Sequence, residues 1–194
     1  MRKLTVLLAL STSAWAAGEL TVYRLLAPST HSFEIVYDTA ATKEGAAYLI
    51  NPVRPGSTAS KESVIDLATG KPLQFTTVKG REAKRLGADA STADDAEFLS
   101  VTLLKPVPKG AETRIRILKT YTDAPSYHAT DTGFVFDRPL GVRRNVVVLP
   151  QGYELVGSQS PGIVSTDADG RIRISFFNDR DDQLPVRIVG RKLP

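Results

Sequence analysis

Short runs in which apolar and polar residues alternate recur along the chain, and this period of two constrains the fold more than any other feature. The run HSFEIVYD (His31–Asp38) alternates in this way, as do RIRI (Arg114–Ile117) and RIRISF (Arg171–Phe176). Side chains along a β-strand point alternately to opposite faces, so such a run builds a strand with one buried and one solvated face. The sequence therefore predicts a protein made mainly of β-strands.

Turn residues separate these runs from further candidate strands. The segments PQG (Pro150–Gly152) and DADG (Asp167–Gly170) are typical of tight hairpin turns. Many short strands joined by Gly and Pro turns favour an antiparallel β-sandwich, immunoglobulin-like or related, over alternating strand–helix units. The further candidate strands are Leu20–Leu26, Ala46–Ile50, Leu73–Val78, Glu97–Leu104, Phe134–Phe136, Asn145–Leu149, Tyr153–Gly157 and Val186–Gly190.

One segment differs from the rest of this mostly β pattern. Arg81–Leu86 (REAKRL) is rich in residues that favour helix, which predicts one short helix near residues 81–86. The small and polar stretch 87–95 that follows predicts an exposed loop, and it divides the strands into two groups. We expect an N-terminal β half at residues 17–122 and a C-terminal β half at residues 123–194, packed together as one unit.

The N-terminal residues are typical of an export signal. Arg2 and Lys3 precede the apolar run Leu4–Leu10, and Ala14–Ala16 forms a small-x-small cleavage pattern. The apolar run is shorter than the roughly 20 residues that span a bilayer, and no later stretch is long and apolar enough. Residues 1–16 are therefore predicted to be a signal peptide, and the mature protein to be periplasmic or secreted without a transmembrane segment.

Composition excludes several kinds of chemistry. The chain has no cysteine, so disulfides, iron–sulfur clusters, thiol catalysis and a lipidated cysteine anchor are ruled out. Its formal net charge of +4 falls to about +2 once Arg2 and Lys3 are removed. The sequence contains neither a lysine–arginine block of the kind that binds nucleic acid nor a glycine-rich phosphate loop. We therefore predict no nucleic-acid partner.

Candidate residues for hydrolytic chemistry are few. The two histidines, His31 and His128, lie about a hundred residues apart without the close spacing of zinc ligands. Ser126, His128 and Asp131 are close in sequence, but no Gly-x-Ser-x-Gly elbow accompanies them. An exported hydrolase with an unconventional site near His31 or His128 remains an alternative, against the expectation that the protein is not an enzyme.

A second alternative rests on acidic turns. Asp167 and Asp169 stand in a glycine-containing loop that resembles a calcium loop, since calcium takes six to eight oxygen ligands. However, the twelfth position counted from Asp167 is Asn178, where an EF-hand requires glutamate. Asp-Gly is also the usual chemistry of a hairpin turn. A calcium-dependent adhesion module with ligands at Asp167 and Asp169 therefore stays open, although no cofactor is the simpler expectation.

Four arginines alternate with isoleucines and form the leading candidate binding site. Arg114 and Arg116 share one predicted strand, and Arg171 and Arg173 belong to another. If the two strands are neighbours, all four side chains lie on one sheet face. Guanidinium groups suit carboxylate and phosphate, so this face would bind an anionic glycan or an acidic envelope protein. The alternative is a solvated face whose arginines are balanced by carboxylates on adjacent strands.

Several segments carry a family resemblance. They are YRLLAP (Tyr23–Pro28), HSFEIVYD (His31–Asp38), RPGS (Arg54–Ser57), GKPL (Gly70–Leu73), VLPQGYEL (Val148–Leu155) and GRIRISF (Gly170–Phe176). The first four resemble the N-terminal β-domain of glycyl-aminopeptidase-type secreted metallopeptidases, and the last two resemble a sandwich that accompanies such enzymes. Those enzymes carry their zinc helix in a following domain. The resemblance thus implies a non-catalytic accessory fold and assigns no catalytic residue.

The chain after residue 16 also resembles a family of uncharacterised exported bacterial β-sandwich proteins. Together these observations lead to one hypothesis about function. We expect an exported, non-catalytic β-sandwich module with a binding or structural role at the cell envelope, whose partner is an envelope protein or an anionic glycan. The exported hydrolase and the calcium-dependent adhesion module are the alternatives.

Overall fold

A computed structural model describes residues 18–194 of the chain, so the predicted signal peptide, residues 1–16, lies outside the described residues. These residues form fourteen β-strands, one short 3₁₀ helix (Pro28–Thr30) and one α-helix, α1 (Gly80–Arg85). The strands are β1 (Leu20–Leu25), β2 (Ser32–Ala41), β3 (Tyr48–Pro52), β4 (Thr58–Asp66), β5 (Phe75–Lys79), β6 (Glu97–Thr102), β7 (Thr113–Thr122), β8 (Tyr127–Ala129), β9 (Gly133–Leu140), β10 (Arg144–Val148), β11 (Tyr153–Ser158), β12 (Ile163–Thr166), β13 (Ile172–Phe177) and β14 (Leu184–Lys192).

The strands form three sheets. The largest has seven strands in the order β12-β13-β10-β1-β2-β7-β4, the second has four in the order β11-β14-β9-β8, and the third has three in the order β3-β6-β5. Neighbouring strands are antiparallel except for β1 and β10, which run parallel. The mostly β sandwich and the short helix predicted near residues 81–86 are confirmed. The parallel pair is the one departure from the antiparallel expectation.

Both smaller sheets cover the same face of the seven-stranded sheet. Strands β2 and β7 pair over their full length without a shift in register, so alternate residues along each stay on one face. On that face Phe33 and Tyr121 pack against the four-stranded sheet, whereas Ile115 and Ile117 pack against the three-stranded sheet. The large sheet therefore carries two separate apolar cores side by side, and Tyr37 touches both.

The first core is aromatic. The Phe33 ring lies at its centre, with ring-centroid distances of 5.6 Å to Phe136, 6.0 Å to Tyr23, 6.2 Å to Tyr121 and 6.4 Å to Tyr127. Edge-to-face and tilted pairs of this kind are the favourable arrangement of aromatic quadrupoles. This cluster ties β1, β2 and β7 of the large sheet to β8 and β9 of the four-stranded sheet.

Three strands escape the sequence analysis. In β4 the register shifts between Ser60 and Ser63, and Lys61 adopts a φ of 51°, so the alternation that reveals a strand is broken. Strand β8 lies in a stretch that reads as turn chemistry, and β12 is a short edge strand with all four residues exposed. Such strands have little period-two signal because only one or neither face is buried.

Strands from both predicted halves meet in the large sheet, where β10 and β13 continue it beyond β1. The division into halves at residues 17–122 and 123–194 stays a prediction. Within residues 18–194 no helix combines the length and apolar character needed to cross a bilayer; α1 spans only six residues.

Candidate functional site

A cleft opens where the two smaller sheets fail to meet over the large sheet. It holds about 230 Å³. Its floor is the core face of the large sheet, and its walls come from Asn51 and Pro52 at the end of β3 and from Arg138 and Val142 in and after β9. The floor residues are Thr21, Tyr23, Ile35, Tyr37, Lys119 and Tyr121. The cleft thus separates the two apolar cores and is lined by polar and aromatic groups.

Lys119 is the most unusual residue of this floor. Its exposed fraction is 7%, yet among residues 18–194 no carboxylate forms an ion pair with it. Its Nζ donates one hydrogen bond of 3.3 Å to Oδ1 of Asn51 and lies 4.8 Å from the centre of the Tyr121 ring. An amide oxygen and a ring face compensate only part of the solvation that a buried ammonium loses. The site therefore holds an uncompensated positive charge.

Arg138, on the wall, is buried and paired. Its Nη1 lies 2.8 Å from Oδ2 of Asp123, and the exposed fractions of the two residues are 5% and 6%. Asp123 also accepts hydrogen bonds from the backbone N–H of Ser126 at 3.1 Å and from the hydroxyls of Ser126 and Ser57 at 2.8 and 3.1 Å. This carboxylate is therefore the anchor of the network.

The pKa of Asp123 reflects these contacts. Burial acts to raise the pKa of its carboxyl, but the hydrogen bonds from Ser126 and Ser57 and the charge of Arg138 outweigh that effect and hold the pKa below its ordinary value. The guanidinium of Arg138 also stands 5.3 Å from the centre of the Phe33 ring and 5.6 Å from that of Tyr121. Arg138 thus joins the aromatic core to the polar cleft.

Arg54 adds a third cation. It is half-buried in the loop after β3, and burial together with the like charge of Arg138 lowers the pKa of its guanidinium, partly offset by Asp123. Among residues 18–194 it forms no ion pair. Lys119, Arg138 and Arg54 thus face Asp123 as their one nearby balancing carboxylate, so this part of the cleft carries excess positive charge.

The opposite end of the floor carries a single acid. The Tyr37 hydroxyl donates to Oε1 of Glu19 at 2.7 Å, and the Thr39 hydroxyl donates to the same oxygen at 3.0 Å. Burial, more than this acceptor, raises the pKa of the Tyr37 hydroxyl far above its ordinary value, so Tyr37 stays a neutral donor. The cleft therefore runs from a cationic end at Arg138 to a hydrogen-bonded acid at Glu19.

The sequence carries a signal for this cleft that the analysis above does not use. Along β7 the inward positions read Ile115, Ile117, Lys119 and Tyr121, so a lysine occupies a core position of a strand with clear alternation. Along β9 an arginine, Arg138, does the same between Phe136 and Leu140. A charged residue that keeps the buried phase of a strand marks a candidate site more specifically than charges on the solvated phase.

The four arginines predicted from the sequence are not brought together. Three strands, β10, β1 and β2, separate β7, which carries Arg114 and Arg116, from β13, which carries Arg173. Arg116 forms a two-pronged ion pair with Asp38 at 2.7 and 2.8 Å, and Arg171 pairs with Asp169 at 2.7 Å. The condition that the two strands are neighbours is therefore not met, and binding by these arginines stays a prediction.

The acidic turn holds its charges internally. Asp169 binds the Arg171 side chain, which lowers the pKa of the Asp169 carboxyl, and Asp167 accepts a hydrogen bond from the backbone N–H of Ala168 at 3.1 Å. Throughout residues 18–194 no three or more His, Cys, Asp or Glu side chains are grouped so that they could hold a metal ion. The calcium prediction for Asp167 and Asp169 therefore gains no further ligand from the fold.

The two histidines lie closer in space than in sequence. Nδ1 of His31 lies 3.1 Å from the backbone oxygen of Tyr127, the residue before His128. His31 has a left-handed backbone with φ of 54° and ends the 3₁₀ helix, so it has a structural task there. The hydroxyl of Ser126 serves the carboxylate of Asp123 rather than a histidine. These contacts explain all three residues without a reaction.

Comparison with known proteins identifies the class of fold. No family model matches the sequence, and no curated protein matches it either. Among solved structures, the M1 zinc metallopeptidase from Deinococcus radiodurans aligns with a TM-score of 0.54 and 12% identity over 89% of this chain. An aminopeptidase N family protein from Idiomarina loihiensis aligns over 89% of the chain with a TM-score of 0.47 and 10% identity.

The fold is that of the N-terminal domain of M1 aminopeptidase-type metallopeptidases, as the resemblance in the sequence implies. The chain spans 41% of the length of the Deinococcus enzyme and 29% of that of the Idiomarina protein. At 12% identity this likeness concerns the fold alone. It fits a non-catalytic β module.

Proposed function

We propose that the protein is an exported, non-catalytic β-sandwich module that binds a negatively charged group of a cell-envelope component in the cleft between its two smaller sheets. The observation that carries this proposal is Lys119, an ammonium 7% exposed on the cleft floor without a carboxylate partner among residues 18–194. Proteins bury charges at considerable cost unless the charge is paired, and uncompensated ones concentrate at binding sites.

The structural alternative is that Lys119 only covers apolar surface with its aliphatic stem. Two observations argue against it. Snorkelling lysines keep the ammonium in water, whereas this residue is buried to its end beside Asn51. The nearby Arg54 is a second cation without an ion pair among residues 18–194. An incoming anion would neutralise both, and an apolar ligand would neutralise neither.

Lys119→Met separates these two interpretations. We expect the substitution to raise the free energy of unfolding by about 1 kcal/mol or more, because a buried charge is replaced by an apolar chain of similar length. The same substitution should abolish the binding of anions. Unfolding in urea gives the stability, and ¹⁵N–¹H NMR titration of the processed protein with acetate, inorganic phosphate and oligogalacturonate gives the binding.

The matched control is Lys192→Met, which removes an exposed lysine at the end of β14. It should leave both stability and titration unchanged. A binding curve that is the same in Lys119→Met as in the unmodified protein, or the lack of any response to all three anions, would contradict the proposal. Loss of binding in Arg171→Ala with Arg173→Ala alone would instead place the anion on the outer arginines.

Export is tested separately. We propose that residues 1–16 are removed and that the protein works in the periplasm or outside the cell. Mass spectrometry of the protein from an extracytoplasmic fraction should give an N-terminus at Ala17. An uncleaved protein confined to the cytoplasm would refute this part of the proposal and leave the binding site unaffected.

A further inference from the structure

We infer that the anion taken by the cleft is a single carboxylate carried on a small apolar body. This inference rests on the proposed function, because it specifies the ligand of the same site. The first support is size. The cleft holds about 230 Å³, the liquid volume of about eight water molecules. It therefore admits one anionic group with a short body, and it excludes an oligosaccharide except for a terminal unit.

Charge favours a monoanion. The three cations Lys119, Arg138 and Arg54 are opposed by Asp123 at one end and by Glu19, through Tyr37, at the other. Their formal sum leaves one positive charge to be balanced. A phosphate dianion would overcompensate it and would meet the negative charge of Glu19 within the same short floor. A carboxylate balances the charge without that repulsion.

The donors also suit a carboxylate. The Arg54 guanidinium presents a planar fork of N–H groups, and Lys119 supplies a point charge, which is the combination that holds planar carboxylates. Phosphate is commonly held by backbone N–H groups at helix N-termini or in turns. The cleft floor here consists of side chains on β1, β2 and β7, whose backbone groups are engaged in the sheet.

The remaining surface of the cleft is apolar. Ile35, Pro52 and Val142 line it together with the rings of Tyr23 and Tyr121. These groups gain by contact with an aliphatic or aromatic body and offer nothing to a hydrated inorganic ion. The ligand is therefore a carboxylate attached to an apolar group, and a small carboxylic acid and the C-terminal residue of a peptide share this chemistry.

Isothermal titration of the processed protein with 3-phenylpropionate, 3-phenylpropanol and phenyl phosphate tests the ligand class. We expect 3-phenylpropionate to bind about tenfold more tightly than the uncharged alcohol, because the charge-assisted contacts are lost in the alcohol. It should also bind more tightly than phenyl phosphate. Lys119→Met should lose this advantage over the alcohol, whereas Lys192→Met should keep it. Acetyl-Gly-Phe and its C-terminal amide then distinguish a peptide end from a free acid.

Each outcome decides something different. Tighter binding of phenyl phosphate would overturn the carboxylate while leaving an anion site in place. Equal binding of the acid and the alcohol would overturn charge recognition, and with it the proposed function. No binding of any probe, in a Lys119→Met protein that is also no more stable than the unmodified one, would reject both proposals.

Discussion

Replacing Asp123 with asparagine is expected to lower the free energy of unfolding by about 3–5 kcal/mol, the cost of leaving a buried charge without its partner. Arg138 is 5% exposed, and Asp123 is its one ion-pair partner among residues 18–194. Without that carboxylate, Arg138 faces the like charge of Arg54 alone. Asparagine keeps the size of the side chain and one acceptor oxygen, so the loss reports mainly the charge.

Urea unfolding at neutral pH measures this effect, and the chain offers a matched control. Asp137 pairs with Arg187 at 2.6 Å on the same strand as Arg138, but these side chains are 47% and 49% exposed. Solvent screens such a pair, so Asp137→Asn should cost less than about 1 kcal/mol. Equal losses in the two variants would mean that burial of the Asp123–Arg138 pair has no energetic consequence.

The same pair sets a pH dependence. The pKa of Asp123 is lower in the folded than in the unfolded protein, so the folded state binds fewer protons as the carboxyl titrates. The stability contributed by Asp123 is therefore complete above the unfolded pKa of about 3.9 and disappears as the pH falls through the lower folded value. Asp123→Asn should show a shallower loss of stability below pH 4 than the unmodified protein; an identical acid limb would refute this assignment.

How much of the fold the sequence predicts follows from where its alternation is intact. β2, β7 and β13 have one buried and one solvated face, and their period of two is readable without any partner. β4 hides behind a bulge at Ser60–Ser63, and the parallel pairing of β1 with β10 joins segments more than a hundred residues apart. Local pattern carries no information about such long-range pairing.

The candidate site divides along the same line. Arginines on the solvated phase of β7 and β13 attract attention because they form regular series, yet Arg116 is satisfied by Asp38 on the adjacent strand. Lys119 occupies the buried phase, where it interrupts the series Ile115, Ile117 and Tyr121. That interruption can be read from sequence. The cleft above it cannot, because it exists only where two separate sheets stop short of each other.

The aromatic core and the cleft share a boundary, and this links the stability of the sandwich to the geometry of its site. Phe33 contacts the rings of Tyr23 and Tyr121, which line the cleft floor, and lies under the guanidinium of Arg138. A change at Phe33 therefore acts on the walls of the cleft without touching a charged group.

Phe33→Ala is expected to lower the free energy of unfolding by about 3–5 kcal/mol and the melting temperature by about 10 °C, the usual cost of removing a fully buried ring from a close-packed core. The ring contacts four other aromatic side chains, and its backbone lies between β1 and β7, so the surrounding strands cannot collapse into the void without breaking sheet pairing. Phe177→Ala is the control, because that ring is 62% exposed on the same sheet and should change stability by about 0.5 kcal/mol or less. Thermal and urea unfolding of both variants provide the measurement. Similar losses at the two positions would mean that the packing of the two smaller sheets over one face, from which the cleft itself arises, is not what stabilises this fold.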